Sequence, residues 1–210
     1  MNATIDHLVY ACPSLQAAVD ELAGLTGVRA APGGQHPGLG THNALVSLGD
    51  CTYLEIIAPD PAQPAPAQPR PFGLDGLVKP GLRAWAAAPG DLDAAVRAAR
   101  ANGFDYGEIV TRQRRTPDGG ELTWRMTAYP HSPLVAVIPF LIGWENGSHP
   151  APAAPAGLTL EEFAISAPDP AGVSRQLRAV GLNLPVELTE EPVLCAVLAD
   201  PEGRRVVLRS

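Results

Sequence analysis

The chain says nearly the same thing three times, and that repetition restricts its fold more than any other feature. Each copy is a short apolar strand, a turn, an Ala/Leu/Val-rich helix and a glycine. The first runs Ile5-Asp6-His7-Leu8-Val9-Tyr10, then Pro13-Ser14, a helical stretch to Leu25, and Gly27. The second runs Leu82-Arg83-Ala84-Trp85-Ala86, then Pro89-Gly90-Asp91, Leu92 to Ala101, and Gly103. The third runs Leu160-Glu161-Glu162-Phe163-Ala164-Ile165, then Pro168-Asp169, Ala171 to Val180, and Gly181. Val19, Val96 and Val173 fall at one constant interval. Strand-like sequence follows each helix, over His42 to Ile57, Glu108 to Ile142 and Val193 to Leu208. The repeated unit is β-α-β-β-β, and the fold class it predicts is α+β.

Within the first copy, alternation predicts Ile5, His7 and Val9 on one face of the opening strand and Asp6, Leu8 and Tyr10 on the other. Ser14 is a good helix N-cap and Gly27 a good C-cap. Gly33 to Gly40 reads as a glycine-rich loop, without the Gly-Lys-Ser/Thr ending of a phosphate loop. A hairpin turning at Gly49-Asp50 joins His42–Leu48 to Cys51–Ile57. In the second copy Pro117-Asp118-Gly119-Gly120 predicts a hairpin turn, and a last strand spans Val135 to Ile142. Prolines at 59, 61, 64, 66, 69 and 71 mark a semi-rigid linker, and residues 147–157 form a second. The predicted organisation is a pair of modules over 1–146 (1–58 and 80–146, with linker 59–79) and a third module over 158–210.

The chain has 210 residues, 46% hydrophobic and only 18% charged, which suits a globular protein with a full core. Its formal charge of −7 argues against a nucleic-acid surface, although Arg112, Arg114, Arg115 and Arg125 cluster locally. The apolar runs are too short for a membrane span and no secretory leader opens the sequence, so the expected location is cytoplasmic. Cys12, Cys51 and Cys195 show no metal-type spacing and read as reduced thiols.

Those residues resemble a known group. The β-α-β-β-β unit, used in pairs to build a cupped mixed sheet, is the module of the vicinal oxygen chelate superfamily. Ile5-Asp6-His7-Leu8-Val9 resembles its opening strand, and Tyr53-Leu54-Glu55-Ile56-Ile57 its fourth. His36-Pro37-Gly38-Leu39-Gly40-Thr41-His42-Asn43-Ala44-Leu45, with Pro139-Phe140-Leu141-Ile142-Gly143-Trp144, is similar to its glyoxalase-like branch. The superfamily holds lyases, isomerases, dioxygenases and metal-free binding proteins, so the fold does not choose among them. In its metal enzymes the first and fourth strands of each module carry the ligands. The resemblance places His7 and Glu55 at those positions in the first copy. The second copy offers Arg83 or Ala84 and a position near Phe140, so the ligand set it implies is incomplete.

Two readings stay open for each candidate. His7 is a ligand or a packed core histidine. Glu55 faces a pocket, with a metal or an arginine for partner, or faces solvent outside the sheet; an ionised carboxylate buried alone costs several kcal/mol. With His7 and Glu55, a third ligand would come from His42, or next from His36, giving a site for divalent Zn, Fe, Mn or Ni; either histidine can equally cap the glycine-rich loop. Asn43 presents an amide to a substrate or sits in a turn. Arg112, Arg114 and Arg125 recognise an anionic group or line a solvated strand face. Trp124, with Trp85, Trp144, Tyr53 and Phe140, encloses a ligand or fills the core. His131 and His149 lie beside prolines in loops and carry no catalytic reading.

The leading expectation is a glyoxalase-like protein that binds a small oxygen-rich metabolite, as a metal-dependent lyase, isomerase or dioxygenase. Glu55 would be a ligand or the general base. The alternative is a metal-free binding or sequestering protein of the same fold. The third module's apolar alternation, at Val193, Cys195, Val197, Val206 and Leu208, predicts a face needing cover and hence a homodimer; the competing arrangement packs the third module back on the first two within one chain.

Overall fold

The computed structural model describes residues 2–115, 119–128, 135–145 and 149–210. Its helices begin where the sequence supplies caps. Ser14, Asp91 and Asp169 accept hydrogen bonds from the backbone N–H groups of Ala17, Ala94 and Gly172, satisfying donors that a helix start leaves open. These caps open α1 (Leu15–Thr26), α2 (Leu92–Ala101) and α3 (Pro170–Ala179). Gly27 closes α1 in the left-handed conformation, at φ 72°. No described helix is long and apolar enough to cross a membrane.

The first module contributes β1 (Ala3–Ala11), β2 (Ala31–His36), β3 (Thr41–Ser47) and β4 (Tyr53–Pro59). The second contributes β5 (Gly81–Pro89), β6 (Val110–Arg115), β7 (Glu121–Met126) and β8 (Phe140–Trp144). Together they form one mixed sheet in the order β2-β3-β4-β1-β5-β8-β7-β6. In each module the first strand lies parallel to the fourth, and the modules meet antiparallel through β1 and β5. The sheet curls until its edge strands β2 and β6 touch, where Arg114 donates to the carbonyl of Gly33. The curl makes a cup.

One face of the sheet buries Leu8, Leu54, Ile56, Trp85 and Leu141 under α1 and α2. Burial of each such side chain contributes roughly 1.5–3 kcal/mol. The other face, inside the cup, carries Val9, Ile57, Ala84, Ala86, Met126 and Ile142. The linker between the modules is more than a spacer. A 3-10 segment, Pro71–Gly76, folds into the cup and buries Phe72 and Leu74. Phe72 holds φ at 62°, an uncommon value for a side chain of its size, and its ring lies 6.2 Å from Phe140.

Three local expectations are corrected. First, strict alternation fails in β1. Ile5 pairs with Ala87 and His7 with Ala86, so Asp6 is the extra residue of a β-bulge. Asp6 and His7 therefore both reach the cup side, while Ile5 packs with the helix-side core. Second, the glycine-rich stretch is only partly loop: Ala31–His36 forms the edge strand β2, and the turn occupies 37–40. Third, the face assignment on the last strands was split between two sides.

That third point concerns β9 (Thr159–Ala167), β10 (Val186–Leu188), β11 (Val193–Ala199) and β12 (Arg205–Arg209), a separate sheet ordered β10-β9-β11-β12. This unit repeats the element order of the first two but not their pairing, because β9 lies between β10 and β11. Val197 pairs with Val207 and Leu198 with Val206, so Val193, Cys195 and Val197 cannot share a face with Val206 and Leu208. The buried face is Leu194, Ala196, Leu198 and Leu208, which joins the same core as Trp85 and Leu8. Trp85 meets Phe163 edge-on at 5.2 Å. Val206 and Leu208 are thus covered within the chain, whereas Val193, Cys195 and Val197 lie with the exposed Val207 on the opposite, half-buried face.

Candidate functional site

Along β4, Tyr53, Glu55 and Ile57 face the cup, while Leu54 and Ile56 face the helices. The parallel register of β1 sets His7 beside Tyr53 and Val9 beside Glu55. His7 therefore stacks on Tyr53, with centroids 4.6 Å apart, and brings its Nε2 to 3.8 Å from Oε2 of Glu55. From β3, Asn43 donates through Nδ2 to Oε1 of Glu55 at 2.6 Å. From β2, His36 brings Nε2 to 3.9 Å from the same oxygen. Four strands thus converge on one carboxylate that is only 8% exposed. The cavity they enclose with Arg114, Trp124 and Phe140 measures about 30 Å³, room for roughly two waters.

Hydrogen-bond directions assign the protons. Asn43 Nδ2 lies 3.4 Å from His36 Nε2, so that nitrogen accepts and Nδ1 carries the proton, which goes to Thr41 Oγ1 at 3.0 Å. Burial lowers the pKa of His36, against the raising pull of Glu55. Burial also lowers that of Arg114, with Tyr53 and Glu55 opposing it. For Asp6, burial acts to raise the pKa, yet the hydrogen bonds from His149 and His7 prevail and hold it at about 2. Gly33 has a steric reason to be glycine: a Cβ there would stand 2.2 Å from Oδ1 of Asn43. That oxygen is buried without a hydrogen-bond partner among the described residues.

Of the residues singled out from sequence, His7, Glu55, Asn43, Arg114 and Trp124 line this cavity. His42 does not. It projects from the opposite face of β3 into a groove beside Ser14 and Leu15, with Nδ1 4.0 Å from Asp60. Arg112 pairs across from Trp124 but is exposed. Arg125 points to the helix side and grips Asp93 of α2 with two hydrogen bonds, 2.8 and 3.0 Å long. His131 lies outside the described residues. Sequence reasoning missed Asp6, which the bulge turns inward, and His149, which reaches Asp6 Oδ2 at 3.2 Å from the far side of the second module. His36, second to His42 from sequence, is the histidine that reaches Glu55, because its glycine-rich stretch is an edge strand paired with β3. The one available signal was the adjacency of Asp6 and His7.

The donor chemistry bears on a divalent metal. His7, Glu55 and His36 offer two nitrogens and a carboxylate of the kind zinc or iron accepts. They do not close into a ligand set. Oε1 of Glu55 already accepts from the Asn43 amide, a group that cannot coordinate through its N–H. The facing wall from the second module supplies Ala84, Ala86, Phe140 and Ile142, none of them a ligand. Among the described residues no group of three or more His, Cys, Asp or Glu side chains is arranged to hold an ion. The residues present do not fit the metal.

A family model described as a Glyoxalase-like domain matches residues 5–181. No curated protein matches the chain. A hypothetical protein from Staphylococcus aureus superposes over 99% of this chain and 85% of its own, with 16% identity and a TM-score of 0.64. Methylmalonyl-CoA epimerase from Mycobacterium tuberculosis aligns over 59% of this chain and 77% of its own, at 21% identity and a TM-score of 0.39. A hypothetical protein from Bacillus halodurans aligns over 69% and 94%, at 12% identity and a TM-score of 0.43. The first of these likenesses establishes the shared fold.

Proposed function

This chain belongs to the glyoxalase-like domain family of the vicinal oxygen chelate superfamily, and from that premise we propose that its cup binds a small oxygen-rich metabolite and moves a proton beside the metabolite's carbonyl group. Glu55 and His7 are the proton-transfer pair in this reading. The observation that carries it is their approach to 3.8 Å in one buried cavity. A base must lie within hydrogen-bond reach of the proton it takes, and a carbon seated to one side of this pair, facing both groups, is within reach of both. Both come from the first module, facing a wall of Ala84, Ala86, Phe140 and Ile142. That arrangement supports transfer on one face of the substrate rather than inversion between two opposed bases. Arg114 suits a carboxylate or phosphate on the ligand, and Tyr53, Trp124 and Trp144 suit its apolar part.

The test is proton exchange in heavy water. Purified protein is incubated with a panel of small α-hydroxy ketones, hydroxy aldehydes and 2-oxo acids, and loss of the α-proton signal is followed by NMR. Exchange with at least one class is expected, falling about 100-fold or more in Glu55→Gln. No exchange with any member would overturn the reading.

A second reading, a metal-free binding or sequestering protein, is favoured by the aromatic enclosure of so small a cavity. Its signature is a ligand-dependent rise in melting temperature without exchange.

A further inference from the structure

The bulge in β1 turns Asp6 toward the cup, and the carboxylate is almost wholly buried, at 1% exposure. Three donors meet it. His7 Nδ1 lies 2.6 Å from Oδ1, while Trp144 Nε1 at 2.9 Å and His149 Nε2 at 3.2 Å both meet Oδ2. Two of these donors have no choice of role. An indole nitrogen only donates. His149 Nδ1 accepts the backbone N–H of Ala151 at 3.1 Å, so in the neutral ring the proton is on Nε2, which donates to Asp6. With Oδ2 taken by two obligatory donors, Oδ1 is left to His7. A carboxylate only accepts, so the proton between them belongs to the ring. The stack on Tyr53 and the edge contact of Phe140, 5.4 Å away, fix the plane of that ring.

We propose that Asp6 is a positioning residue: it locks His7 in the Nδ1–H tautomer, so that the Nε2 lone pair faces Glu55 across the cavity and is the basic nitrogen of the site. The functional meaning of this lock rests on the proton-transfer reading above; the lock itself does not. Asp6 touches no substrate and acts only through His7. Trp144, from the end of β8, and His149, from the segment leading to the third unit, hold the carboxylate in turn. The carboxylate that sets the tautomer of His7 is thus itself anchored by two side chains distant in sequence.

The test reads the imidazole directly. Nitrogen-15 spectra of the full chain, with the His7 signals assigned by comparison with His7→Gln, separate a protonated ring nitrogen from a lone-pair one. In its neutral form the wild-type ring is expected to show Nδ1 protonated and Nε2 bare. In Asp6→Asn the two obligatory donors capture the amide oxygen, and the amide N–H turns to His7. The ring must then accept at Nδ1 and carry its proton on Nε2, as when an aspartate that orients a catalytic histidine is replaced by asparagine. Where exchange activity is found, it should fall at least about 100-fold in Asp6→Asn. A second variant, Trp144→Phe, leaves Asp6 in place and should keep the Nδ1–H tautomer, which guards against misfolding of the first. An Nε2–H tautomer in the wild type, or an Nδ1–H tautomer persisting in folded Asp6→Asn, would overturn the proposal. Failure to find exchange would count against the proton-transfer reading alone.

Discussion

Asn43 donates a 2.6 Å hydrogen bond to Oε1 of Glu55, the shortest tie between β3 and the carboxylate at the centre of the cup. It satisfies one oxygen of an anion buried among aromatic rings, where an unmet acceptor costs about 1–3 kcal/mol or more. Asn43→Ala should therefore lower the unfolding free energy by about that amount, read from the urea midpoint at constant slope. A midpoint unchanged in Asn43→Ala would mean that water replaces the amide without cost.

Gly33 and Asn43 should be coupled. A Cβ at position 33 collides with Oδ1 of Asn43 at 2.2 Å, so Gly33→Ala should destabilise by about 1–3 kcal/mol. The double variant Gly33→Ala with Asn43→Ala should lose less than the sum of the two singles, since the clash has gone. Strict additivity in a double-mutant cycle would show that the methyl group is resisted by something else.

Asp6 makes stability depend on acid. Its folded pKa, about 2, lies below the ordinary 3.8. The native state therefore binds its proton less readily than the unfolded chain. The corresponding stability is fully present above pH 3.8 and is lost as pH falls through about 2. One such shift amounts to about 2 kcal/mol. Urea titrations at pH 5, 3 and 2 should show that loss in the wild type and a flatter dependence in Asp6→Asn. Parallel curves would remove Asp6 from the account of acid unfolding.

Arg114 and Arg125 of the β6–β7 hairpin should separate by where they point. Arg114 is buried and ties β6 to β2 through the Gly33 carbonyl, so Arg114→Met should both lower the melting temperature and weaken binding of anionic ligands. Arg125 sits in an exposed pair with Asp93, and exposed pairs contribute little. Arg125→Ala should leave ligand binding intact and the melting temperature nearly so. Equal effects from the two substitutions, measured by calorimetry, would contradict this division.

The third unit should unfold with the cup. Leu198 is fully buried in the core that also holds Trp85 and Leu8, so Leu198→Ala should cost about 2–5 kcal/mol. The loss should appear in one transition, followed alike by Trp fluorescence and far-ultraviolet dichroism. Two separated transitions would mean that the shared core does not couple the units.

Much of this protein is determined by local pattern. The order β-α-β-β-β and the cap at Ser14 follow from patterns of a few residues, which any strand or helix at those positions must obey. His7, Glu55 and Arg114 stand out as candidates by residue type and strand position, but local pattern leaves open which way each points. Tertiary structure alone decided the rest. A bulge is a mismatch between two strands, so no reading of β1 by itself could turn Asp6 toward His7. His36 displaced His42 from the site because pairing with β3 made an edge strand of a glycine-rich stretch. His149 and Trp144 arrive at Asp6 from more than a hundred residues away, a contact that only the curl of the finished sheet creates. The cover over the third unit's apolar face was likewise settled by register: Leu198 and not Val197 lies opposite Val206, and a slip of one residue reverses which side of a strand is buried.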